Sequence, residues 1–326
     1  MMKMKRLLLG FLLLFVMIVL GACGGNAEGS ISAEKDDVIR LGFQKGNTLH
    51  ILKESGFLEE AAKEKGITIQ WEMFTHGNTL MEGIYAGAID YGHAADGPGI
   101  FAQATNKPFY YVGADEPNPE GVGVMVKDDS GITSLEQLKG KKIGALEGGN
   151  HHYLAVLAIE SAGLTVDDVE WVFPEDAAQG RSLFETGELD ALASYDPFFA
   201  SGEVEMDVTT LTDGEVYDGY PNRTFYFASS SFAEEHPEHL DLILEAIDEA
   251  DQWANENKSE VVEIMSEALG ISEEVIHHQF DRRTFGATKI TPEIIEAQQK
   301  QADKYDEIDL IPEKIDVSEK MYEIIE

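Results

Sequence analysis

Ile89-Asp90-Tyr91-Gly92-His93-Ala94-Ala95-Asp96-Gly97-Pro98-Gly99-Ile100-Phe101-Ala102-Gln103-Ala104 is the stretch on which the reading of this chain turns. It has the pattern of a buried strand end, a loop of small residues and the first turns of a helix. Gly92, Gly97 and Gly99 let the backbone turn tightly and come close to a bound group. Pro98 suits the first turn of a helix, where its missing N–H costs nothing, and Asp96 stands where an N-cap is expected. A helix that starts beside a strand end aims free N–H groups and a partial positive charge at whatever lies there.

Outward from this stretch the same grammar repeats. Residues 38–43 read as a strand, 44–48 as a loop, and Leu49, Ile51, Leu52 and Leu58 as the apolar face of a helix. Residues 67–74 read as the next strand, followed by a loop at 75–78 and a helix through Leu80, Met81 and Ile84. From Lys141 the pattern restarts, with a strand at 142–146, a loop at 147–152 and a helix at 153–162. A strand at 169–173, a helix at 177–184 and the segment 191–197 complete it. Such alternation implies parallel sheets with helices on their faces.

The two halves echo each other. Gly87-Ala88-Ile89-Asp90 parallels Gly187-Glu188-Leu189-Asp190, and Asp96-Gly97-Pro98 parallels Asp196-Pro197. Two similar lobes are expected, with strand-end loops confronting each other across a cleft, where ligands of open α/β sheets bind. Residues 224–229 read as one more strand, and helices are expected at 239–255, 261–268, 273–282, 292–306 and 317–325. The crossings between lobes are expected near residues 121–126 and 220–225.

The 326 residues carry 24 Lys and Arg against 61 Asp and Glu, a formal charge of −37. Nucleic acid and anionic membrane surfaces are repelled by such a chain, so neither is expected as a partner. Residues 1–22 combine Lys3, Lys5 and Arg6 with an apolar run and read as a signal peptide. They end in Leu20-Gly21-Ala22-Cys23, which resembles a bacterial lipobox, so Cys23 is expected to carry lipid and become the mature N-terminus. As the single cysteine, it leaves no disulfide possible within the chain. Residues 23–37 read as a flexible tether.

Enzyme signatures are absent: no Gly-x-Ser-x-Gly elbow, no phosphate-binding Gly-x-x-x-x-Gly-Lys loop, no His-Glu-x-x-His and no Gly-x-Gly-x-x-Gly. His76, His93, His151 and His152 lie at strand or helix ends, where convergence on one cleft would suit Zn²⁺ or Ni²⁺. The alternative is that they serve as hydrogen-bonding loop residues. Asn47 and Asn150 each stand before an expected helix as candidate caps.

Several segments resemble the aliphatic sulfonate-binding proteins of ABC importers, within a larger group that includes taurine, nitrate and thiamine-precursor binders. They are residues 41–47, 87–104, 111–113, 135–142, 196–198, 225–228 and 310–316, in one order over nearly the whole mature chain. The resemblance implies an α/β, two-lobed periplasmic-binding-protein type II fold, each lobe a mostly parallel sheet flanked by helices. Residues 38–122 with 224–326 are expected to form lobe 1, with the C-terminal helices packing on it, and 123–223 lobe 2. It further implies a monomeric, lipid-anchored binder outside the cytoplasm, with no cofactor and no catalysis, that hands its solute to membrane permease subunits.

The expected ligand contacts are Gln44, Asn47, His76, Ala95, Asp96, Gly97, Gly149, Asn150, His151, Tyr195, Asp196 and Phe198, with no metal ligands. Departures from the family pattern fall in the cleft: Ala94-Ala95-Asp96 replaces Thr-Gly-Asp, Glu147-Gly148-Gly149-Asn150 replaces Lys-Gly-Ser, and Tyr195-Asp196-Pro197-Phe198 replaces Trp-Asp-Pro-Tyr. With Glu147 and Asp196 in place, a zwitterion such as taurine fits, the carboxylates holding its ammonium. A thiamine-precursor pyrimidine or a nitrate-like solute is the alternative ligand, and a metal-binding lipoprotein or a pyrimidine-forming enzyme the alternative class.

Overall fold

The computed structural model describes residues 37–217 and 219–322; the expected signal peptide, Cys23 and the tether up to residue 36 lie outside the described residues. Two mixed sheets carry the fold. In the first half the order is β1 (Asp37–Phe43), α1 (Thr48–Ser55), α2 (Phe57–Glu64), β2 (Ile67–Met73), α3 (Gly77–Tyr85), β3 (Tyr91–Ala95), α4 (Asp96–Ala104) and β4 (Phe109–Asp115). The second sheet takes β5 (Val122–Lys127), β6 (Lys142–Gly144), α5 (Asn150–Ser161), β7 (Glu170–Val172), α6 (Ala177–Glu185), β8 (Ala191–Tyr195), α7 (Phe198–Glu205) and β9 (Val208–Asp213). The chain then returns through β10 (Thr224–Ser229), α8 (Ser230–Glu235), α9 (Pro237–Glu256), α10 (Lys258–Leu269), α11 (Glu273–Asp281), β11 (Ala287–Thr288) and α12 (Pro292–Glu307).

Strand order is β11-β4-β10-β3-β1-β2 in one sheet and β7-β6-β8-β5-β9 in the other. Both contain the same unit, β2-β1-β3 and β7-β6-β8, paired in parallel. In both, an antiparallel strand lies beside the third: β10 beside β3 and β5 beside β8. β5 and β10 are the first strands laid down after each crossing. The internal echo extends to single hydrogen bonds. Asp90 accepts from the Arg40 N–H at 2.8 Å and Asp190 from the Lys142 N–H at 2.9 Å, each carboxylate tying the start of its strand to the neighbouring one. Gly87 and Gly187 precede them with φ of 72° and 80°, a conformation that disfavours side chains.

Several sequence expectations are corrected. The helix expected through Leu49 and Leu58 is two helices, because Gly56 (φ 77°) ends α1 in the left-handed conformation. Residues 122–127 are a strand rather than a crossing; the passages between sheets lie at 116–121 and 214–223. Val122 to Val126 are all buried, so the strand lacks the alternation that marks a half-exposed one. Val208–Asp213 is a strand without a counterpart in the sequence reading. In place of a helix at 317–325 there is a single 3₁₀ turn, Val317–Lys320, within the described residues.

Helices α9 and α10 pack on α1, and α9 also on α2, while α12 packs on α4, so the C-terminal segment covers the first lobe. Leu41, Leu49, Leu52, Tyr91, Tyr226 and Ile243 form the core beneath α9. A larger apolar cluster runs from Leu80, Ile89 and Ile100 in the first lobe to Val124, Ile143 and Leu154 in the second.

Candidate functional site

A cavity of about 390 Å³ lies between the lobes, outside the carboxyl ends of β1, β2 and β3 on one side and of β6, β7 and β8 on the other. Each of those six strands is followed by a helix whose first residues line the cavity: Asn47, His76 and Ala95 in the first lobe, and Gly149, Asp176 and Phe198 in the second. The leading N–H groups of an α-helix have no partner within the helix. Three such ends from each lobe therefore aim N–H donors at the cavity, with Asn47, His76, Asp176 and Asp196 each accepting one of them.

The local sequence explains most of these starts. Asn47 caps α1 by accepting from the Thr48 N–H at 2.9 Å, and Asp176 caps α6 by accepting from Gln179 at 2.8 Å. His76 has extended backbone angles and caps α3 through Thr79. Two expected caps are corrected. Ala95, not Asp96, is the N-cap of α4, and Asp96 is its first helical residue. Asn150 is likewise the first residue of α5 after the cap Gly149; its amide donates to Asn222 Oδ1 at 2.8 Å instead.

Ten of the twelve expected contact residues line the cavity: Gln44, Asn47, His76, Ala95, Gly149, Asn150, His151, Tyr195, Asp196 and Phe198. Asp96 and Gly97 stand behind it. Asp96 accepts from Gln301 at 2.9 Å, and burial pushes its pKa up to about 7. Gly97 abuts the other lobe, where an added Cβ would fall 1.8 Å from the Gly148 carbonyl oxygen. Asp196 edges the cavity, but its carboxylate is gripped by Arg282, with Nε at 3.0 Å and Nη2 at 2.5 Å, and accepts from the Ala200 N–H. It is thus committed and not available to hold an ammonium. Glu147 is exposed at the cavity edge and has no side-chain hydrogen bond or ion pair among the described residues.

The four cleft histidines do not converge as a ligand set. Each accepts a backbone N–H: His93 from Gln44 at 3.0 Å, His151 from Leu146 at 2.8 Å, His152 from Gly148 at 3.0 Å and His76 from Thr79 at 3.5 Å. Burial holds His151 near 3 and His93 near 3, so both are neutral at physiological pH. With Nε2 accepting, His151 carries its proton on Nδ1, facing Asn150 Oδ1 at 3.1 Å, while its ring packs on Tyr195. The three-residue group with metal-ligand spacing among the described residues is His236, Glu238 and His239, around the start of α9 and outside the cavity.

Sequence reasoning missed the arginines. Arg223 and Arg283 line the cavity wall. Arg283 is 8% exposed, pairs with Asp115 at 2.7 Å and lies over Phe285; the Arg223 guanidinium donates to the Asp115 carbonyl. The available signal was scarcity: with 24 cations against 61 anions, an arginine spent in an apolar context is informative. Met73, Phe74, Pro98, Tyr195 and Phe198 supply the apolar part of the wall.

The Asp96 environment predicts a pH effect. Its folded pKa lies above the unfolded value of about 3.9, so its contribution to stability is complete below pH 4 and is lost as pH rises toward 7. Asp96→Asn, neutral throughout, is expected to gain in melting temperature relative to the parent between pH 5 and pH 8. An equal difference at both pH values would show that Asp96 is ionised throughout in the fold.

Two lobes with helix starts facing a shared cavity define a solute-binding fold. The chain matches the NMT1-like family over residues 33–268, and it belongs to that family. It is 30% identical over 298 residues to an aliphatic sulfonates-binding protein of Escherichia coli K12, covering 90% of this chain and 92% of that protein. A protein of the same name in Bacillus subtilis 168 is 30% identical over 94% of this chain and 92% of its own length. Among solved structures, the alkanesulfonate-binding protein of Xanthomonas axonopodis pv. citri, bound to MOPS, superposes with a TM-score of 0.82 at 25% identity. That match covers 88% of this chain and 98% of the other. These relatives are named as binding proteins and not as enzymes, and this chain is likewise a solute-binding protein.

Proposed function

We propose that the chain is the solute-binding lipoprotein of an ABC importer, anchored through Cys23 on the extracytoplasmic face of the membrane. In this reading it takes an aliphatic sulfonate in the interlobe cavity and delivers it to membrane permease subunits. The observation that carries the reading is the meeting of six helix N-termini on one cavity with an apolar wall. A sulfonate is a permanent anion with three acceptor oxygens, suited to N–H donors, and its carbon chain suits Met73, Phe74, Tyr195 and Phe198. The sulfonate-binding names of the relatives, and MOPS in one of them, support the same ligand class.

Gln44, Asn47, His76, Ala95, Gly149, Asn150 and His151 face the anion in this reading, and Asp96 and Gly97 act from behind, at the start of α4. Taurine is the narrower choice. Because Arg282 occupies Asp196, its ammonium must be met by Glu147, Glu116 or Asp176.

A thermal-shift screen of the chain from Ala27 onward, in phosphate rather than a sulfonate buffer, tests the reading. The panel is taurine, ethanesulfonate, longer alkanesulfonates, nitrate, a hydroxymethylpyrimidine and Zn²⁺. A ligand at a hundred times its Kd stabilises the fold by about 2.7 kcal/mol, a readily measured shift. Stabilisation by sulfonates is expected; a shift confined to the pyrimidine, nitrate or Zn²⁺ overturns the ligand assignment.

A further inference from the structure

The cleft does not end at the cavity. A second, more open chamber of about 450 Å³ adjoins it, with His76, Asn78, Pro98, Leu146 and Glu147 forming walls of both. The outer chamber differs in character. It is bounded by aromatic rings, Tyr85, Phe101 and Phe173, and by the carboxylates of Glu82, Glu147 and Glu175. No side-chain hydrogen bond or ion pair neutralises any of the three carboxylates among the described residues, and no cationic side chain lines the chamber. Lys107 covers one face of the Tyr85 ring, 5.1 Å from its centroid, so the rings of Phe101 and Phe173 are the ones left to a ligand.

Apolar exposure points to the same place. Val38, Met73, Phe173 and Val216 are the large hydrophobic residues left exposed among the described residues, and two of the four are in the cleft. Met73, 52% exposed, lines the inner cavity, and Phe173, 42% exposed, the outer chamber. Exposed apolar surface within a concave site is surface that a ligand covers. The inner cavity, ringed by helix N-termini, takes a negative group; the outer one, acidic and aromatic, favours a positive group through Coulomb attraction and cation–π contact.

We propose that the ligand spans both chambers, and that the site selects sulfonates whose tail ends in a cationic group such as a quaternary ammonium. This rests on the sulfonate reading of the inner cavity and adds a substrate class to it. A ligand that reaches both chambers carries its positive charge several carbons from the sulfonate, unlike the compact zwitterion taurine.

Isothermal titration of the full chain in phosphate buffer tests the proposal with three probes. They are ethanesulfonate, a propanesulfonate ending in trimethylammonium, and the same chain ending in an uncharged tert-butyl group. The cationic probe is expected to bind at least tenfold more tightly than its neutral twin, with the preference shrinking as NaCl is raised. Glu82→Gln/Glu175→Gln, whose sites lie in the outer chamber alone, is expected to abolish most of that preference and leave ethanesulfonate affinity unchanged. Equal binding of the two long probes, with ethanesulfonate still bound, overturns the tail proposal and spares the sulfonate reading. Failure of all three to bind overturns the sulfonate reading and this proposal with it.

Discussion

Gly97→Ala is expected to remove ligand binding while leaving the unliganded protein folded and at least as stable. Gly97 is the second residue of α4, where alanine is the better helix former by up to about 1 kcal/mol, so the local effect is favourable. The obstacle is in the other lobe. A Cβ at this position falls 1.8 Å from the Gly148 carbonyl oxygen, a backbone atom with no rotamer to move aside. Tyr305, packed on Phe101, donates to that carbonyl at 3.2 Å and closes the remaining space. The clash lies between lobes, so the chain relieves it by holding them apart rather than by unfolding. Apparent affinity falls in proportion to the population of the closed form. A loss of at least 100-fold in sulfonate affinity is expected, about 2.8 kcal/mol, with no drop in the unliganded melting temperature. Wild-type affinity in the variant would show that the Gly97–Gly148 approach is not part of the binding form.

Arg282→Met is expected to weaken binding to a similar degree, for an electrostatic reason. Arg282 follows α11 in the first lobe and reaches across the cleft to Asp196 and to Glu203 at 2.7 Å, its guanidinium lying over Phe199. The Asp196 side chain is 4% exposed and that of Arg282 11%. Removing one partner of a buried pair leaves an uncompensated charge, which costs about 3–5 kcal/mol. Parting of the lobes lets water reach Asp196, so the penalty falls on closure. Arg282→Met/Asp196→Asn is then expected to regain most of the affinity, a double-mutant coupling that a merely local packing defect would not give.

The pH dependence has a definite sign. Burial raises the Asp196 pKa and Arg282 lowers it, with the two lobes held together across this pair. Without Arg282 the rise is larger, and a form with a raised pKa is favoured at low pH. The single variant should therefore bind better as pH falls, whereas the double variant should not. A pH-independent deficit would place the defect elsewhere.

Strand-end loops were legible because their signals are local. The spacing of Gly87 and Asp90 from Gly187 and Asp190 is read directly, and each pair forms the same turn and the same strand-tying hydrogen bond. Asn47 precedes a helix and caps it, whereas Asp96 and Asn150, read the same way, are the first residues of their helices. Buried strands were harder. Val122–Lys127 is apolar on both faces, and without alternation it resembled a hinge.

The two-lobed α/β plan was legible in the sequence, since periodicity, glycine placement and the internal repeat act over a few residues and the family resemblance runs the length of the chain. Tertiary structure decided what the matching aspartates do. Asp96 and Asp196 follow equivalent strands, β3 and β8, yet one turns inward to Gln301, where burial raises its pKa to about 7, while the other is held by Arg282. The partners lie 205 and 86 residues away along the chain. No local pattern encodes such pairings: they depend on where α11 and α12 come to rest against the cleft, and that is set by packing of the whole C-terminal segment.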